Sequence, residues 1–187
     1  MKHLMIALAA AGLSCLALTL RAQDSKSDAQ GPLKVLSIQE GVWDADITTL
    51  VPGQDGKVEA QKSKGVETNR MLGGKWLISE FKGEFIGMSF EGHGQNGYDA
   101  KKGKYIGTWV DSMATNIAML DGSYDEKTKT LTFRSETENP ADGKPMKMRL
   151  ETQFNDDGTR TMKEYVQMDG QTEFAKLMEI KYTKRKK

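Results

Sequence analysis

The chain is almost without cysteine and histidine. Of its 187 residues one is a cysteine, Cys15, and two are histidines, His3 and His93. A single cysteine excludes a disulfide framework and a thiolate metal centre. A divalent-metal site draws on three or four ligands, and His93, the only histidine outside the extreme N-terminus, cannot supply the usual set. No metal and no cofactor is therefore expected. The sequence contains no nucleophile elbow, phosphate loop, dinucleotide fingerprint or zinc-binding helix. Its spaced glycines in GHGQNG do not open a helix, so they are not a phosphate cradle, and no catalytic residue is assigned. Charge of one sign is also missing: the net charge is +1. Five basic residues fall in the final KYTKRKK, which reads as a solvated terminus. No nucleic-acid partner is expected.

The N-terminus has its own pattern. Lys2 and His3 precede an apolar run over residues 4–20, Leu20-Arg21-Ala22 ends on a small residue, and the chain turns polar at Gln23. That order predicts a cleaved secretory signal over residues 1–22. The run contains Gly12, Ser14 and Thr19 and is shorter than the roughly 20 apolar residues of a spanning helix. No stable membrane insertion is expected after cleavage. Leu13 stands one place too close to Cys15 for a lipobox, which argues against lipidation. Cleavage would leave 165 residues, no cysteine and a net charge of −1. The expected location is exported, periplasmic or extracellular.

Residues 23–31 are small and polar and read as a disordered leader. Residues 32–39 predict a short helix, with Pro32 suited to its first turn. From Trp43 the apolar period becomes two. In MKMRLETQF, Met146, Met148, Leu150 and Phe154 share one face, while Lys147, Arg149, Glu151 and Gln153 share the other. Similar runs lie at 42–50, 76–81, 105–111, 130–135, 161–168 and 174–182, with weaker ones at 58–71, 84–90 and 116–120. Between runs stand turn signals such as Gly73-Gly74, Asp121-Gly122 and Asp169-Gly170. Nine or ten short strands joined by tight turns imply an antiparallel sandwich or up-and-down barrel over residues 32–185, with 186–187 as a tail end. The apolar content is thin and rich in methionine, which suits a barrel with a cavity.

Gly41-Val42-Trp43, opening the first strand, resembles the lipocalin and wider calycin signature. In that family the tryptophan packs across the closed bottom of the barrel. GGKWLISEFKGEFIGMSFEGHGQNGYD, KGKYIGTWVDSM, DGSYDEKTKTLTF and MEIKYTKRK together resemble a bacterial family known as domain of unknown function 1579. The resemblance spans roughly residues 33–185. It implies a lipocalin-like β-barrel, often exported, and no established reaction or catalytic residue.

In YIGTWVD, period two places Tyr105, Gly107, Trp109 and Asp111 on one face. An inward orientation would line a cavity with aromatics and a carboxylate. Trp76, Ile78 and Glu80 repeat the pattern, so they are also expected to face inward. FEGHGQNGYD, residues 90–99, reads as a strand end, a hairpin and a new strand, with His93 and Tyr98 near the barrel mouth. Asp121-Gly-Ser-Tyr-Asp125 reads as a hairpin turn and not as a calcium loop. The expected ligand-binding lining is Trp76, Glu80, His93, Tyr98, Trp109 and Asp111. The expected partner is a small apolar or amphipathic molecule. The alternatives are a small-molecule enzyme using His93 with Glu80 or Asp111, and an envelope barrel filled by its own side chains.

Overall fold

The computed structural model describes residues 30–53, 55–139 and 142–186. The predicted signal and most of the leader lie outside the described residues. One helix, α1 (Gln30–Ser37), precedes ten strands: β1 (Gly41–Pro52), β2 (Val58–Leu72), β3 (Trp76–Phe85), β4 (Met88–Asp99), β5 (Lys104–Asp111), β6 (Ala118–Asp125), β7 (Thr130–Glu138), β8 (Pro145–Phe154), β9 (Arg160–Met168) and β10 (Ala175–Lys184). Each strand pairs antiparallel with the next, and β1 pairs with β10, so the sheet closes into an up-and-down barrel. Closure removes the open sheet edges that would otherwise invite aggregation.

The alternation seen in the sequence sets which side chains enter. On β8, Met146, Met148 and Leu150 stand opposite Thr137, Ser135 and Phe133 of β7 on the inner wall. The intervening Lys147, Arg149 and Glu151 face out. Three expectations need correction. The stretch 90–99 is not a hairpin but the continuous body of β4. Asp121-Gly122 is not a turn but lies within β6, where Asp121 pairs outward with Lys104 at 2.7 Å. The run 84–90 is not one strand, because Ile86 and Gly87 turn there with φ of 50° and 74°. Successive positive φ values make a tight hairpin, and isoleucine is a costly residue to place there. That is why composition did not announce this turn.

One end of the barrel is plugged. α1 lays Val35 and the fully buried Leu36 against Leu77, Tyr105, Leu120, Leu131 and Phe133. The Tyr105 hydroxyl donates to the Pro32 carbonyl at 3.1 Å. Trp43 Nε1 donates to the Gln39 carbonyl at 2.8 Å, which ties β1 to the segment after the helix. Beneath them lies Arg160, 4% exposed. It donates to Glu67 Oε1 at 2.5 Å and to Gln39 Oε1 at 3.0 Å. Its guanidinium stacks 4.1 Å from the Tyr182 ring centroid and 4.6 Å from that of Trp43. Asn69 Nδ2 donates to the same Glu67 oxygen and to the Gln39 carbonyl. Burial, with Glu67 beside it, pushes the Tyr182 phenol well above its ordinary value.

Removing one member of such a pair strands a charge out of water, at a cost of about 3–5 kcal/mol. Arg160→Ala is expected to lower the unfolding free energy by about that amount. Urea titration followed by tryptophan fluorescence checks this, and Glu67→Gln with Arg160→Met should recover much of the loss.

Candidate functional site

The other end is open. It carries the β1–β2, β3–β4, β5–β6, β7–β8 and β9–β10 connections. A cleft of about 640 Å³ lies there, lined by residues that include Ile117, Thr137, Met146, Met168 and Gln171. Below this mouth the inner wall changes character. At the plugged end, Leu77, Tyr105, Leu131 and Tyr182 are buried. Toward the mouth, the inward Phe90, Trp109, Asp111, Met148, Glu164 and Met178 are only partly buried. The barrel is therefore packed at the helix end and loosens toward the opening.

Trp109 marks the boundary, because it packs against both buried clusters of the interior. Its indole lies on the backbone of β4, whose residues Gly92 and Gly94 oppose Asp111 and Trp109. A Cβ at Gly92 would overlap the indole, and one at Gly94 would stand 2.9 Å from it. Glycines at alternate positions of a strand thus make a flat seat for the ring. Gly97 does the same on the outer wall for Trp76, whose ring would lie 2.7 Å from a Cβ there. The three glycines of GHGQNG are ring seats on two faces of one strand, and His93 points out between two of them.

Asp111 is held firmly. Its Oδ2 accepts from Trp109 Nε1 at 3.0 Å, and its Oδ1 accepts from the Met113 and Ala114 amides at 2.9 and 3.1 Å. Glu164 reaches the same interior from β9, between Leu150 and Met178 on the neighbouring strands. No hydrogen bond or ion pair satisfies it among the described residues. Burial pushes its carboxyl up to about 7, and the charge of Asp111 adds to that shift.

Of the residues expected to line the interior, three face inward. Trp109 and Asp111 lie in the loosened half. Tyr98 lies at the plugged end, edge-on to Tyr105 with ring centroids 5.1 Å apart. The other three face out. Glu80 and His93 are neighbours across β3 and β4, with Nε2 and Oε1 3.7 Å apart, and both are more than half exposed. Trp76 is 37% exposed on the outer wall. In WLISEF both faces carry large apolar residues, so the pattern does not choose a side. The inward set is Leu77, Ser79 and Phe81, each buried, and Trp76 and Glu80 take the other face. Glu80 and Asp111 are thus divided by the barrel wall and form no acid/base pair.

Sequence reasoning missed Glu164. Its signal was present: in RTMKEYVQM, Arg160, Met162, Glu164, Val166 and Met168 share one face, so period two places two charges in an apolar row. Among the described residues, no group of three or more His, Cys, Asp or Glu side chains could hold a metal ion.

Gly92→Ala forces the indole off its seat. A loss of about 1–3 kcal/mol is expected, together with a shifted tryptophan emission maximum, and Gly56→Ala in an open turn serves as the control for the emission change. Glu164 gives a pH signature. Its folded carboxyl binds its proton more tightly than the unfolded one, so its stabilising share is complete below about pH 4.5 and is lost as pH rises through about 7. Relative to the wild type, Glu164→Gln should gain about 2–3 kcal/mol between pH 5 and pH 8. Thermal unfolding across that range checks it, and a flat difference would refute the buried titration.

The family described as "Protein of unknown function (DUF1579)" matches residues 28–184. No curated protein matches the chain. The match covers nearly the whole barrel and its helix, and the chain belongs to the DUF1579 family.

Proposed function

We propose that this protein is an exported barrel that binds a small apolar or amphipathic molecule in the loosened half of its interior. The observation that carries this reading is the contrast along the inner wall. Large side chains fill the plugged half, whereas Trp109, Met148 and Met178 in the other half are partly exposed beneath an open mouth. An apolar wall with a few placed polar groups is the common form of a small-molecule site. Methionines adapt to varied ligand shapes. The lipocalin-like form of the barrel and the signal-like N-terminus support the same reading.

The test uses N-phenyl-1-naphthylamine, an apolar dye that brightens out of water. Titrated into the folded protein, it should bind one per chain and quench Trp109. Met178→Trp, which fills the interior, should weaken binding at least ten-fold, and Trp76→Phe on the outer wall should leave it unchanged. No binding, or binding indifferent to Met178→Trp, would mean a barrel filled by its own side chains. Export is tested separately by the mass of the protein recovered from the cell envelope, expected to begin at Gln23.

A further inference from the structure

The interior has an imbalance of charge. On the inward positions of the described strands the acids are Glu59 and Glu67 on β2, Asp111 on β5 and Glu164 on β9. The bases are Arg160 and Lys184, both at the plugged end. Arg160 is consumed by Glu67 and Gln39, and Lys184 rests 5.3 Å from the Trp43 ring centroid. Among the described residues no basic side chain enters the loosened half. Two carboxyl groups are nevertheless held there against a wall of methionine, leucine and indole. Carboxylates set into such surroundings are costly unless something compensates them. Asp111 has three donors, but Glu164 has none among the described residues.

A second, independent observation lies in the same half. Thr49 and Ser135, 2% and 5% exposed, are inward-facing. Each buries a hydroxyl oxygen that no donor or acceptor satisfies. Thr49 pairs with Met178, which pairs with Glu164, so the three form one row across β1, β10 and β9. Buried polar atoms without partners are rare in a finished interior. Asn69, Asn96 and Arg160 bury others toward the plugged end, whereas Thr49 lies in the row that holds Glu164.

Resting on the binding reading above, we infer that the ligand is an organic cation, its ammonium group seated between Asp111 and Glu164 against the Trp109 indole and its apolar body among Met148, Leu150 and Met178. A metal ion fits poorly, because hard cations take six or more oxygen ligands and the wall offers mainly thioethers and rings. An ammonium carried on an apolar body uses everything present. It meets the carboxylates electrostatically, the indole through its π face, and the methionines by burial. An anion would meet uncompensated like charge. The same geometry makes binding sensitive to pH. The titratable groups facing Glu164 are Asp111 from β5, Tyr182 from β10, and Arg160 of its own strand with its partner Glu67, while Leu150 and Met178 beside it are apolar. Burial raises the Glu164 carboxyl to about 7.

The experiment displaces bound N-phenyl-1-naphthylamine with three molecules of equal chain length: octyltrimethylammonium, octanol and octanoate. Octyltrimethylammonium is expected to displace the dye at least ten-fold more effectively than octanol, and octanoate least of all. Its advantage should grow several-fold from pH 6 to pH 8, although its own charge is constant. Glu164→Gln should remove the pH dependence, and Asp111→Asn with Glu164→Gln should level the cation with the alcohol. Far-ultraviolet circular dichroism and a cooperative thermal unfolding transition show that the variants remain folded. Dye that binds but is displaced equally by all three, or best by octanoate, overturns the cation assignment and leaves the binding site standing. Dye that never binds the wild type overturns the binding reading, and the cation assignment with it.

Discussion

The ion pair between Arg160 and Glu67 is the constraint on which the barrel depends. It reaches from β9 to β2 across β10 and β1, where the first and last strands must meet for the sheet to close. Through Gln39 it also pins the segment that follows the helix plug. Its charges are out of water, so each is tolerable only while the other is present. The rings of Trp43 and Tyr182 lie 4.6 and 4.1 Å from the guanidinium and help exclude solvent. Closure, plug and ion pair thus support one another. The buried base is also spent at this end, and among the described residues the inward acids of the other half have no basic partner.

The middle of the barrel depends on a simpler device. Gly92 and Gly94 leave the inner face of β4 bare, and the Trp109 indole lies on it. The ring spans the space between the two buried clusters. Its Nε1–H turns toward Asp111 and holds that carboxylate in the interior. Packing and polarity are therefore coupled at one residue. The tryptophan floors the loosened half and also orients its best-held charged group. Above this floor the inner wall carries Met148, Met178 and Glu164, and no described side chain hydrogen-bonds that glutamate.

Much of the fold was legible because a strand's period of two is a local property. Alternation in MKMRLETQF and YIGTWVD marked the inner face of β8 and β5, and hence Trp109 and Asp111. Legibility failed where both faces carry apolar residues, as in WLISEF, and where glycine had two possible meanings. In FEGHGQNGYD glycine was read as turn chemistry, but it serves contact with rings from β5 and β3. Glu164 went unmarked because its strand, RTMKEYVQM, looks polar until its inward row is read alone.

The strand-rich antiparallel character, the short helix before the first strand, most of the turns and the family are all legible from the order of residues. These follow from backbone preference and local periodicity, which act over a few residues. Long-range packing settles which face of β3 turns inward, that Glu80 and His93 stand outside while Asp111 and Glu164 share the interior, and that Arg160 is committed to Glu67. Those outcomes depend on which strand lies beside which and on the register at which the barrel closes. Residues far apart in the chain set both, through packing volume and the need to compensate buried charge.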